Sequence, residues 1–576
     1  MHYKAHTYPL NVGIMHADFK LSWQKIYVPV LCFLLFFSSA DIQGQVPRII
    51  SDINPANGES GLTNTDWGTF EKAFVELNGI IYFIANDGVS GSELWRTDGS
   101  TNGTYQLKDI TPGPESTIFQ GYILAGNQIY FQVYQNFSSG GDRNIWRTDG
   151  SPGGTYPLTF FSSTTNNGEK LYPEAFSSTN FKQALLGNTL FFITEDDKHK
   201  YRLRKTDGLT PGSSIYLETT NENGFPFWRN GVIESVIGFR DKLLIKCDTA
   251  SYINNDPNGS ELYWTDGALP PVLYCDYSPG PANSDFTSFV NVNDFFLAFR
   301  SSSALFAIRQ FGDCPELIAP LYTDWNFYEK LGNRLFFRNT LENNINEPYR
   351  MFCTDGSVAG TVASDLIYPR IIGSFNEHML FGVGDRIKKW NGITPTADWF
   401  LDSTAAGTGL SPGQFDGAIQ AGDRLILTAT INSTDQMRIT DGTNYNYYRL
   451  NPPSNNNFRS NFGRIPYQLA IAPGNKLIVR FRYVRHINYY TLPVDSGFEI
   501  ALFDLNSLIW TGKNSTSWED PLNWWPNRVP TLNDPVFITL SPRYPIVSDG
   551  TRYAKEVTIG YGNLEIGSNA QLVITK

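Results

Sequence analysis

A phrase that recurs along this chain limits its fold more than any other feature. Glu93-Leu94-Trp95-Arg96-Thr97-Asp98-Gly99 returns as Ile145-Trp146-Arg147-Thr148-Asp149-Gly150, as Leu203-Arg204-Lys205-Thr206-Asp207-Gly208 and as Glu261-Leu262-Tyr263-Trp264-Thr265-Asp266-Gly267. Phe352-Cys353-Thr354-Asp355-Gly356 and Arg438-Ile439-Thr440-Asp441-Gly442 are worn copies, and weaker ones run from Leu305 to Gly312, Lys388 to Gly392 and Ile500 to Asp504. Each copy follows a turn that opens into a branched and aromatic run, such as Asn78-Gly79-Ile80-Ile81-Tyr82-Phe83 or Gly187-Asn188-Thr189-Leu190-Phe191-Phe192. That is how a tight turn enters a β-strand.

Nine such units can be counted, and a period of roughly 50 residues suits one propeller blade per unit. In the first, four strands are expected at about Phe70–Glu76, Ile80–Ala85, Ser92–Thr97 and Thr104–Ile110. Apolar residues at helical spacing are not found. The predicted fold class is all-β, a β-propeller of eight or nine blades, followed by a small β-solenoid-like module. Ile50-Ser51-Asp52-Ile53-Asn54-Pro55 looks like the unit ending Leu107-Lys108-Asp109-Ile110-Thr111-Pro112, yet no unit precedes it, and the last unit lacks an ending. The N-terminal strand is therefore expected to complete the final blade and close the ring, which removes the exposed sheet edge.

These residues resemble the ELWxxDGT repeat family of secreted proteins from Gram-negative bacteria that use type IX secretion. The resemblance spans roughly Ile50 to Ser507 and is sharpest at Trp95, Trp146 and Trp264. It implies a propeller-like extracellular domain and no particular activity.

Residues 1–44 read as a signal peptide region: Lys20 and Lys25, the apolar run Ile26 to Phe37, then small residues to Ala40 and Gly44. Met15 is an alternative start with a more ordinary signal length. The run falls short of the roughly 20 residues a membrane span needs, and no transmembrane segment is expected. Leu31 before Cys32 argues against a lipoprotein. Residues 45–508 form the predicted propeller and 509–576 the C-terminal β module. That module opens on Trp510, Trp518, Trp524 and Trp525, and short strands are expected at Val557–Gly560, Leu564–Gly567 and Leu572–Ile574. No sorting domain is visible before Lys576, which leaves a periplasmic location open beside a secreted, extracellular or cell-surface one.

The net charge of -11 and the lack of a basic stripe argue against nucleic acid as a partner. Beyond the signal region lie Cys247, Cys275, Cys314 and Cys353, which allow three disulfide pairings or four buried thiols. Asp98 with Ser100 and Asn102 offers oxygen ligands, so calcium is the one cofactor left open. The favoured reading is that Asp caps turn amides while Gly takes positive φ. Trp95, Trp146 and Trp264 are expected to pack between blades rather than form a sugar-stacking ring. His199, His378 and His486 sit in no catalytic motif, and Glu195-Asp196-Asp197 reads as a solvated hairpin tip. No catalytic residue is assigned. The expected function is a monomeric, non-enzymatic interaction or adhesion scaffold that binds an unknown protein or glycan at the propeller face. The alternative is a lectin or glycan-active enzyme that uses the channel.

Overall fold

The computed structural model describes residues 48–575 with interruptions, the longer of which are 55–73, 172–182, 218–231, 249–259, 403–412, 450–468 and 486–493. The signal region, Asp196, Asp197, His199 and His486 lie outside the described residues. The chain divides into two compact units, one covering Ile49–Tyr447 with Ser454–Leu502, the other chiefly Phe503–Lys576.

The first unit is all-β, and each of the nine sequence units forms its own antiparallel sheet among the described residues. The first sheet holds Val75–Leu77, Ile80–Asn86, Ser92–Thr97 and Tyr105–Lys108, hydrogen-bonded in that order. The same meander recurs through the eighth sheet, and the third gains a fifth strand, Lys170–Leu171. In the ninth sheet, Arg48–Ser51 is the outermost strand and is bonded to Val494–Asp504. The resemblance of Ile50-Ser51 to a unit ending thus corresponds to real strand pairing.

The sheets bury apolar side chains on both faces, because their second strands carry runs such as Ile81 to Ala85, all buried. Those faces pack on the sheets before and after. Leu77, Tyr82 and Leu94 of the first sheet meet Phe119, Phe131 and Trp146 of the second, and similar clusters follow at each seam to the eighth sheet. A further cluster joins Phe74, Phe83 and Trp95 of the first sheet to Ala470, Ile478, Ile500 and Leu502 of the ninth, with Ile50 of the N-terminal strand.

The disulfide joins Cys275 on the last strand of the fourth sheet to Cys314, just before the last strand of the fifth, with 5.5 Å between Cα atoms. Cys247 and Cys353 are buried thiols, and burial pushes the Cys353 thiol up to about 12.

In the second unit, Leu508–Trp510, Pro535–Ile538 and Glu556–Ile559 pair in parallel, as do Ile546–Ala554 and Glu565–Ile574. Because the chain alternates between these two sheets, successive passes stack as rungs, and a parallel bridge from Ser517 to Ile546 adds one more. One expectation is corrected here. Leu564–Gly567 and Leu572–Ile574 are not separate short strands, since Glu565–Ile574 is one ten-residue strand that runs through Gly567. An added Cβ at Gly567 would lie 2.7 Å from Ser548 O, so this glycine permits close rung contact instead of making a turn. The core is Trp-rich: Trp524 stacks edge-on against Trp510 at 4.9 Å and Trp518 at 4.7 Å.

Candidate functional site

The Asp-Gly turns join the third and fourth strands of the sheets. At the first, Asp98 Oδ1 accepts from the Ser100 amide at 2.8 Å and from its hydroxyl at 2.6 Å. Thr97 Oγ1 accepts from the Gly99 amide at 3.0 Å and meets Thr104 Oγ1 at 2.6 Å. Ser100 Oγ accepts from the Gly103 amide, and Thr104 Oγ1 donates to Ser100 O. The same bonds recur from Thr148 to Thr155 and from Thr354 to Thr361. The repeated element is therefore longer than the Asp-Gly pair. Its far end is the Gly-Thr at 103–104, 154–155 and 360–361, a signal present in the sequence and left unused above. The Ser100 hydroxyl holds the Asp98 carboxyl below the usual carboxylate range. Ser100 thus spends its hydroxyl proton on Asp98, and no group of three His, Cys, Asp or Glu suited to a metal occurs among the described residues.

Four of these turns also receive the preceding sheet. Arg96 Nη1 donates to Gly150 O at 3.0 Å, Arg147 Nη1 to Gly208 O at 3.0 Å and Lys205 Nζ to Gly267 O at 2.9 Å. Arg309 reaches Gly356 O in the same way. The guanidinium of Arg96 also lies over Tyr105, and that of Arg147 over Tyr156.

At the seam between the third and fourth sheets these contacts leave a cavity of about 760 Å³. Phe191, Leu186 and Ile215 give its apolar wall, and Lys205, Arg240, Asp207, Asp241 and Asp266 give the charges. Asp266 Oδ1 accepts from the amides of Ala268 and Leu269, and the bond from Leu269 leads in holding its carboxyl below the ordinary value. Asp207 Oδ1 accepts from the Leu209 amide and the Ser213 hydroxyl. The repeated phrase supplies Lys205, Thr206, Asp207, Asp266 and Gly267 to this cavity, but the phrase alone did not mark it, because the walls come from two successive repeats.

Trp95 and Trp146 are each 8% exposed and pack toward the preceding sheet. Trp264 does not share their place. Phe83 pairs with Trp95 and Phe131 with Trp146, whereas Ile245 pairs with Tyr263. Trp264 stands one residue closer to its Asp-Gly, so strand alternation turns it to the opposite face, where it packs with the cluster shared with the fifth sheet. Glu195 is also corrected: it is 6% exposed, pairs with Tyr201 and Lys170 within the third sheet, and faces Lys170 Nζ at 3.9 Å. His378 Nδ1 meets the Asn376 carbonyl in a turn.

Sequence reasoning passed over Glu93 and Glu261. Both are fully buried. Glu93 accepts from the amides of Ile110 and Thr111 and the hydroxyl of Thr117, which fastens the chain leaving the first sheet. Glu261 accepts from the Tyr277 amide, and burial pushes both carboxyls up to about 7. At the equivalent place in the second sheet, Asn144 Oδ1 accepts from the Phe161 amide and Thr159 hydroxyl. The role is thus a backbone clamp that does not require an ionisable group.

Residues 509–576 match the model of a family described as a domain of unknown function (DUF8693). No curated protein matches the chain. Among solved structures, the computationally designed Ika8 protein is similar at 10% identity and a TM-score of 0.34, with 78% of this chain and 100% of that one covered. Acylaminoacyl peptidase of Pyrococcus horikoshii is similar at 10% identity and a TM-score of 0.29, with 67% of this chain covered and the chain spanning 51% of the peptidase. The dihydro-heme d1 dehydrogenase NirN is similar at 12% identity and a TM-score of 0.34, with 66% and 76% covered. At such scores these likenesses carry no argument about activity.

Proposed function

We propose that the nine sheets close into one propeller of ELWxxDGT repeats, and that the protein is a secreted or cell-surface binding scaffold without catalytic activity. Closure is supported by the pairing of Arg48–Ser51 with the ninth sheet and by the apolar cluster that the first and ninth sheets share. The observation that carries the functional reading is that the repeat spends its own chemistry internally. Asp98, Asp149 and Asp355 cap their turns, Trp95 and Trp146 are buried between sheets, and Glu93 and Glu261 clamp backbone in separate repeats. Among the described residues the Asp-Gly face offers loop surface and the seam cavity, which suits binding. The Cys275–Cys314 bridge fits an oxidising compartment outside the cytoplasm.

The test expresses the full chain with its own leader in a Gram-negative host and follows fractionation, the oxidation state of Cys275 and Cys314, and turnover of glycoside and peptide substrate panels. Export with an intact disulfide and no turnover is the expected result. Turnover of any substrate, or retention in the cytoplasm with reduced thiols, would overturn the reading.

A further inference from the structure

The seam cavity exists because three registered side chains are smaller there than at the two preceding seams. In the first sheet Tyr82 pairs with Arg96 and Arg96 with Tyr105. In the second, Tyr130 pairs with Arg147 and Arg147 with Tyr156. In the third the same row reads Phe191, Lys205 and Ile215, and all three line the cavity. Where the row is Tyr-Arg-Tyr, the crevice is filled: Tyr156 Oη donates to Leu209 O at 2.7 Å, and the guanidinium lies between an aromatic ring and the next glycine carbonyl. The third sheet keeps the bond to the glycine carbonyl through Lys205 and gives up a phenol hydroxyl, a guanidinium and an aromatic ring.

We propose that this hollowed seam is a binding site for a neutral, polyhydroxylated ligand, a sugar residue of a glycan. The proposal deepens the binding-scaffold reading and rests on it. Each sugar hydroxyl both donates and accepts, and the cavity offers acceptors at Asp207, Asp241 and Asp266 and donors at Lys205 and Arg240 beside an apolar wall. Asp207 and Asp266 are bonded to their own turns through Oδ1, so Oδ2 of each is an acceptor on a carboxylate already fixed in place. Fixed acceptors lower the ordering cost of binding. Lys242 faces Asp241 at 3.4 Å and acts on Asp266, so with Lys205 and Arg240 it balances the three carboxylates, which suits a neutral ligand, and a volume of about 760 Å³ falls within the usual range for small-ligand sites.

The test applies the full chain to a printed array of neutral and acidic glycans and titrates the best neutral hit by calorimetry. One variant, Phe191→Tyr/Lys205→Arg/Ile215→Tyr, refills the seam with the row that the first two sheets already accommodate. A second, Asp266→Asn, keeps the Oδ1 acceptor for the turn amides and removes the charge, so a folding defect in the first cannot hide the answer. Asp149→Asn, at a turn that lines no part of the cavity, is the control. Neutral-glycan binding that falls at least about tenfold in both cavity variants, and holds in the control, is expected. Binding that survives in the cavity variants overturns the site and leaves the scaffold reading standing. Binding of acidic glycans alone overturns the neutral-sugar class and also leaves the scaffold. No binding of any glycan overturns the site and leaves the scaffold reading to its own test of export and turnover.

Discussion

Arg96 of the first sheet donates to the carbonyl of Gly150 in the second, 3.0 Å away, and so ties one repeat to the turn of the next. The bond recurs from Arg147 to Gly208, where the guanidinium is buried. Truncating Arg147 leaves a carbonyl without its donor and removes the contact with Tyr156. Hydrogen bonds to charged groups contribute about 1.5–3 kcal/mol, so Arg147→Ala is expected to lower unfolding stability by about that much in urea. Arg147→Lys should lose less, because Lys205 makes the equivalent bond one sheet later.

Glu93 and Glu261 give the fold an acidic preference near neutrality. Burial raises each carboxyl from 4.5 to about 7, so between those values the folded state holds a proton that the unfolded state has released. Unfolding then releases protons, and stability falls as pH rises through this window, by about 1.4 kcal/mol per pH unit for each carboxyl. Denaturation midpoints measured from pH 4.5 to 8 should decline toward the alkaline end. Glu93→Gln should flatten the slope, and a midpoint that climbs across the same range would contradict the assignment.

The disulfide closes a loop across a sequence separation of 39 residues. Chain-entropy arguments assign a loop of that size about 4 kcal/mol. Cys275→Ser/Cys314→Ser is expected to lose stability on that scale. Cys247 and Cys353 are expected to resist maleimide in the native protein and react after unfolding, since both thiols are buried.

In the Trp-rich module, Asn523 is fully buried and satisfied on both sides of its amide. Its Oδ1 accepts from the amides of Asn514 and Ser515, and its Nδ2 donates to Ser515 Oγ and Ser517 O. Asn523→Ala leaves the amides of Asn514 and Ser515 without their acceptor, whereas Ser515 Oγ and Ser517 O keep bonds from the Ser517 and Asp520 amides, so the cost is about 1–3 kcal/mol for each amide not rescued by water. Loss of the near-ultraviolet tryptophan signal of this module is the expected readout.

The repeat made the sheets legible because each unit carries its own turns and apolar runs, as at Asn78-Gly79 before Ile80–Asn86. The N-terminal strand was legible for the same reason, since Ile50-Ser51 copies an ending seen elsewhere. Contacts between repeats were not, because they depend on which face each strand residue takes. A shift of one position separates Trp264 from Trp95; it is readable in the spacing to Asp-Gly, and the register with Ile245 and Leu244 shows which face it takes. The cavity was hidden for a related reason: Phe191, Lys205 and Ile215 are ordinary residues until they are compared, in register, with Tyr82, Arg96 and Tyr105.

Gly150 sits at φ +89°, and a Cβ built there would lie 2.1 Å from Tyr82 Oη and 3.3 Å from Tyr82 Cζ. Two penalties thus fall on Gly150→Ala. Left-handed backbone at a non-glycine residue costs roughly 1 kcal/mol, and the clash requires the phenol, itself buried in the seam, to move. Tyr82→Phe removes the atom at 2.1 Å and leaves Tyr82 Cζ, at 3.3 Å, as the nearest contact, which a shift of a few tenths of an ångström relieves. The double variant should therefore be more stable than Gly150→Ala alone, by the steric share of the penalty, and the backbone share should persist. A double-mutant cycle in urea separates the two. If Tyr82→Phe gives Gly150→Ala no relief, the phenol hydroxyl does not press on this turn and the seam is packed differently from the account given above.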